Sequence, residues 1–202
     1  MSQLKLTADS GGGTVAIKGP ASTTGNAALE MTVPSTASGT LDSLNRAGNI
    51  LQVIYVQKSD TFSSSAASWT DITGLTADIT MSSASNKVLV TCHISGLNDS
   101  TTGSGMGLKR NDSFVGLPSS GYGSRQNIIG NEFYLPRQDN YQSVSFSFLD
   151  TPGTGTHTYK VVVFPRGYTV LINRSGDDGD NSAYSRGTSD ITLMEVAAEW
   201  QL

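Results

Sequence analysis

Tyr141–Leu149 reads YQSVSFSFL, and this stretch decides the fold class. Val144, Phe146 and Phe148 alternate with Ser143, Ser145 and Ser147. A period of two sends the three large apolar side chains to one face and the three hydroxyls to the other. That is a β-strand with one side in a core and one in water. A second stretch, Thr156–Phe164 (THTYKVVVF), is apolar on both faces: Val161 and Val163 on one, Val162 and Phe164 on the other. Such a strand is central in its sheet or sits at a subunit contact. Ile50–Gln57 (ILQVIYVQ) is a near-continuous apolar run and predicts a strand buried on both faces.

Working outward from these, strands are expected at Thr76–Met81, Lys87–Ser95, Gly105–Arg110, Ser113–Leu117, Gly130–Leu135, Thr169–Asn173 and Ile191–Trp200. Turn dipeptides punctuate them at Asn111-Asp112, Pro152-Gly153, Arg166-Gly167 and Asp178-Gly179. The connectors are too short for helical crossovers, so pairing should be antiparallel. No window carries a sustained helical period, apart from a short helical turn around Leu41–Arg46. The expected fold is therefore all-β: a jelly-roll-like antiparallel β-sandwich over residues 48–202.

Residues 1–47 read differently. Leu4, Leu6 and Ala8 alternate with polar residues, as do Val15 and Ile17, and then Ala27, Leu29, Met31 and Val33. Gly11-Gly12-Gly13, Gly19-Pro20 and Pro34 interrupt them. Three short strands cannot enclose a core. They need a neighbour, either another copy of the chain or a host surface. This segment is expected to attach and oligomerise, and Ser35–Asn49 is its Gly/Ser/Thr-rich connector.

Composition narrows the function. Lys and Arg number 13 against 17 acidic residues and are scattered singly, which argues against nucleic acid as the main partner. The single cysteine, Cys92, precludes an intrachain disulfide. The N-terminus lacks a signal-peptide core and no run approaches membrane-spanning length, so synthesis in a cytoplasm without membrane insertion is expected.

No nucleophile elbow, P-loop or zinc-protease motif is present, and the chain is expected not to be an enzyme. No cofactor is expected. Cys92 and His93 are adjacent, so on a strand they point to opposite faces and cannot share a metal. The expected arrangement is a buried cysteine and a surface or interface histidine. Asp177, Asp178 and Asp180 form the one acidic cluster, read as a solvated turn with calcium as its functional alternative. The tyrosines and arginines of polar loops carry the binding expectation. Tyr122, Arg125, Asn127, Arg174, Tyr184 and Arg186 lie in loops at 118–127 and 174–186, and a third loop spans 98–104. Aromatic faces stack on sugar rings, while Arg and Asn hold hydroxyl or acidic groups.

The segment LTADSGGGTVAIKGPASTTGNAALEMTVPSTASGTLDS (Leu6–Ser43) resembles a β-rich segment of tail-fibre and other virion proteins of tailed phages, notably marine and cyanobacterial ones. GNILQVIYV, ITGLTADITMSSASNKVLV and Leu108-Lys109-Arg110-Asn111 resemble the same proteins. The likeness covers about half the chain. It implies a homotrimer located in the virion and released by lysis, with residues 1–47 contacting other virion proteins. It implies either a short tail-fibre protein whose knob binds a host-surface glycan, or a capsid decoration protein. A depolymerase would require paired carboxylates in a groove.

Overall fold

The chain divides into two compact units, Met1–Leu41 and Asp42–Leu202. A computed structural model describes residues 3–7, 14–18, 47–99, 102–119, 123–133, 142–182 and 184–198. In the first unit, β1 (Gln3–Thr7) and β2 (Thr14–Lys18) form an antiparallel hairpin pairing Leu4 with Ile17 and Leu6 with Val15. The expected third alternation, 27–33, and the helical turn at 41–46 lie outside the described residues.

The described residues of the second unit carry ten strands: β3 (Ile50–Lys58), β4 (Phe62–Ser64), β5 (Thr70–Met81), β6 (Lys87–Asn98), β7 (Gly105–Arg110), β8 (Ser113–Val115), β9 (Gln142–Asp150), β10 (Gly155–Phe164), β11 (Val170–Ile172) and β12 (Ser189–Val196). All pairings are antiparallel, and the described residues contain no helix. One sheet runs β5-β10-β7-β8. The other runs β3-β12-β6, with β9 on the far edge of β6. Gly96 pairs with Gln142 of β9 and with Ile172 of β11, so β11 shares an edge of β6 with β12. β4 continues outward from β11 as β3 does from β12.

The core lies between the sheets. Alternate residues fill it: Ile72, Leu75, Ala77 and Ile79 from β5, Val88, Val90, Cys92 and Ile94 from β6, Val144 and Phe146 from β9, Tyr159, Val161 and Val163 from β10, and Ile191 and Leu193 from β12. The hydroxyl face of β9 points outward, as its alternation requires.

Three expectations need correction. Gly130–Leu135 is not a strand over its described part. Gly130 is left-handed (φ 72°), and Phe133 makes one isolated bridge, to Ser104. Phe133 packs into the core at the end of the sandwich instead, as does Ile129 just before this stretch. β3 is not buried on both faces. It is an edge strand whose outward residues Val53 and Tyr55 are 54% and 56% exposed. Thr76–Met81 is only the second half of β5.

β10 is central, as its doubly apolar sequence requires. Its outward residue Val162 is fully buried by the chain's own Trp69. A Cβ on Gly107 would lie 2.8 Å from both Trp69 and Val162, so only glycine lets the indole lie this close. Phe114 and Phe164 pack on the same indole, with ring centroids 5.0 and 5.5 Å away. The second apolar face of β10 is thus covered within the chain and needs no subunit contact.

Candidate functional site

Following the strands assigns the loops to two ends. β3 and β6 start together, where Val196 pairs with both Ile50 and Lys87. The chain enters the sandwich at this end, Gly48 N–H donating to Ala197 O (2.8 Å) and Ala197 N–H to Asn49 O (2.9 Å). The 82–86, 111–112 and 151–154 connections lie at this end too. At the opposite end sit Asp99, 102–104, 123–133 and 165–169.

These opposite-end loops are tied to one another. Thr169 N–H donates to the Asp99 carboxylate (2.8 Å), and Asp99 N–H to Thr169 O (2.9 Å). Ser104 and Phe133 exchange backbone hydrogen bonds. Arg166 forms an ion pair with Glu132. Between them opens a cleft of about 540 Å³, lined by Ser124, Arg125, Gln126, Glu132, Phe164 and Arg166.

Arg166 is the unusual residue. It occupies the left-handed region (φ 59°) in the Arg166-Gly167 turn, where Gly or Asn is the unstrained choice. Its Nε is buried without a hydrogen-bond partner. The side chain as a whole is 28% exposed and lines the cleft, where a guanidinium can meet an oxygen-rich ligand. Arg125 adds an exposed cation, and Phe164 an aromatic wall.

The second cleft, about 440 Å³, is built by the excursion 173–188 between β11 and β12. Asp178, Gly179, Asp180, Asn181, Tyr184 and Arg186 line it. The base of this loop is a buried knot. Asn173, left-handed at φ 62° and fully buried, donates through Nδ2 to the carbonyls of Lys58 and Asp60 (2.9 Å each). Its Oδ1 accepts from Ser189 Oγ (2.6 Å), and its N–H donates to Ser95 O (2.8 Å). Within the loop, Arg186 grips Asp178 with both arms (3.0 and 2.8 Å). That hydrogen bonding holds the Asp178 carboxyl below its usual range, and Arg174 lowers it further. Arg174 also donates to the carbonyls of Ser175 and Gly176 (3.2 and 3.0 Å).

The six predicted binding residues therefore do not form one site. Arg125 lines the first cleft, and Asn127 braces the same loop through Pro118 O (3.1 Å). Tyr184 and Arg186 line the second, and Arg174 braces it. Tyr122 lies outside the described residues. Glu132, Phe164 and Arg166 were missed. The one legible signal was an arginine in a turn dipeptide at Arg166-Gly167. In the acidic loop Asp178 is committed to arginine, and no group of three ligating side chains suited to a metal occurs among the described residues.

Cys92 is buried at 4% exposure and His93 faces outward beside Ser145 Oγ (3.1 Å), the separation that strand alternation predicts. The sequence matches no protein-family model, and no curated protein is similar to it.

Proposed function

We propose that the chain is a surface protein of a tailed-phage particle: a short trimeric receptor-binding protein with a jelly-roll knob. The strand order supports the knob assignment. β3-β12-β6-β9 facing β5-β10-β7-β8 is the order that two interleaved Greek keys generate. The observation that carries the functional reading is polarity. The chain enters at one end of the sandwich, and the cleft of Arg125, Glu132, Phe164 and Arg166 opens at the other. The cleft thus lies at the far end of the sandwich from the point where the chain enters it at Gly48. The ligand class is a host-surface glycan, stacked on Phe164 and held by guanidinium groups. Three such clefts on one trimer gain affinity because later contacts are intramolecular.

The test is the copy number of the protein per purified particle, measured against the major capsid protein, followed by adsorption of particles carrying Arg125→Ala. Arg125 is exposed, so its truncation leaves the fold intact. A ratio of a few percent and slower adsorption are expected. Equal copy number would make the chain a capsid decoration protein, and unchanged adsorption would remove the cleft from receptor binding.

A further inference from the structure

The outer face of the β3-β12-β6-β9 sheet is laid out in rows. Strand register aligns Val53, Met194, Leu89 and Leu149 across all four strands. The next row is Tyr55, Thr192, Thr91 and Ser147, and the one after is Gln57, Asp190, His93 and Ser145. On the other side of the apolar row, the register shift at Leu51 brings Ile50 opposite Val196. Ile50, Val53, Tyr55 and Leu149 are 54%, 54%, 56% and 51% exposed. Leu89, Met194 and Val196 are only half-buried.

We propose that this face is the interface between copies of the chain, arranged around an axis parallel to the strands. The proposal deepens the trimeric reading above and rests on it for the number of copies.

Two observations select a copy of the chain as the occupant. The first is area. Four strands about 4.8 Å apart and four rows about 6.8 Å apart project roughly 500 Å². In a ring each copy shares that face between two neighbours, so it is the two contacts together, not either one, that approach the roughly 800 Å² of accessible surface on one side of a standard interface.

The second is complementarity. Rotation about an axis along the strands keeps each row at its own height. The β3–β12 half of one copy then meets the β6–β9 half of the next, a heterologous contact that closes into a ring. Val53 and Met194 meet Leu89 and Leu149, Tyr55 meets a row of hydroxyls, Asp190 meets His93, and Ile50 and Val196 meet the methylene stem of Lys87. A two-fold axis that reverses the strands gives a poorer match. With the four rows fully overlapped it sets the Val53–Leu149 row against the Tyr55–Ser147 row of hydroxyls, and the Asp190 carboxylate against Val196. β3 supports the same choice. Its sequence is apolar on both faces, as is that of β10, but β10 is covered by Trp69 while Val53 and Tyr55 stay more than half exposed.

The test uses the full chain and light-scattering mass. Wild type should have the mass of a trimer. Val53→Lys with Leu149→Lys should give a monomer that keeps its β-sheet circular dichroism and a cooperative melt, since both side chains are over half exposed. Thr76→Lys, on the outer face of the other sheet, should leave the mass unchanged. A double variant that keeps the wild-type mass overturns the interface but leaves the trimer standing. A monomeric wild type removes both.

A second variant holds if the lysines prevent folding. Val53 and Leu149 lie three strand spacings apart, about 14 Å, beyond the roughly 7 Å reach of a disulfide. Val53→Cys with Leu149→Cys, oxidised by diamide, should give covalent multimers on a non-reducing gel. Covalent monomer alone would overturn the proposal.

Discussion

Replacing Asn173 tests whether the knot beneath the 173–188 loop is what positions the second cleft. Asn173→Ala removes two donors from the carbonyls of Lys58 and Asp60 and one acceptor from Ser189 Oγ. A buried carbonyl left without its donor costs about 1–3 kcal/mol, and Lys58 O is the more enclosed of the two. Alanine at φ 62° adds about 1 kcal/mol of backbone strain. The expected loss is about 3–5 kcal/mol. Asn173→Gly loses the same hydrogen bonds but not the strain, so it should retain about 1 kcal/mol more. Asn173→Asp keeps the Ser189 acceptor yet aims a carboxylate at two carbonyl oxygens in a fully buried position, and should be the worst of the three. The assay is urea denaturation at fixed protein concentration, because linked assembly would shift the midpoint. An alanine variant within about 1 kcal/mol of wild type, or a glycine variant no better than alanine, would refute the reasoning.

Gly107→Ala should lower the melting temperature by forcing Trp69 off Val162, at a cost of about 1–3 kcal/mol; an unchanged melt would show that the indole has room to move. Burial alone would raise the Glu195 carboxyl, but hydrogen bonds from Asn86, Gln52 and Ser82 outweigh it and hold the carboxyl below its ordinary range. Its stabilising contribution is therefore complete above the unfolded value, near 4.3, and is lost as pH falls through the lower folded value. Glu195→Gln should flatten the acid limb of the stability profile, and an identical limb would count against this account. Burial pushes the Cys92 thiol well above its usual range, so thiol reagents at pH 8 should label it only as the protein unfolds; rapid labelling of native protein would contradict its placement.

Periodicity made strands legible where it was unbroken. Gly105–Arg110 matches β7 residue for residue, Thr156–Phe164 falls one residue short of β10 at its start, and Tyr141–Leu149 is displaced from β9 by one residue at each end. The first half of β5 was hidden by a bulge. Lys160 pairs with Thr76 but Val162 pairs with Asp71, so Ile72–Leu75 loops out of register around left-handed Gly74 and its period of two is lost. Phe133 reads as strand within Gly130–Leu135 because it is apolar, but its apolar side chain fills the end of the sandwich core instead. The first cleft was half legible. Arg125 and the Arg166-Gly167 turn are visible in the sequence, but the pairing of Arg166 with Glu132 joins residues that only the fold brings together.

The two ends of the sandwich differ in how completely their polar groups are satisfied, and this bears on which end binds. At the end where the chain enters, fully buried Glu195 accepts from Gln52 Nε2 (2.5 Å), Asn86 Nδ2 (2.7 Å), Ser82 N–H (2.8 Å) and Ser82 Oγ (2.7 Å). Asp150 there accepts from Arg110 (2.6 Å) and Tyr159 (2.8 Å), and His157 is paired with Asn111 and Thr154. Each of these groups is closed by the protein itself. At the cleft end, Arg166 combines a left-handed backbone with an unanswered buried Nε. Backbone strain and an unmet donor each cost about 1–3 kcal/mol, and a fold keeps such costs where something else returns them. Glu132 satisfies only the outer arm of the guanidinium, so the ion pair alone does not account for the residue. Replacing Arg166 with Asn, the unstrained choice for that turn, therefore separates the two explanations. In either case the stability of the variant reports the balance of the lost pair against the relieved strain. If the arginine serves only to tie its loop to Glu132, glycan binding should be unchanged; if it is kept for a ligand, the variant should lose glycan binding.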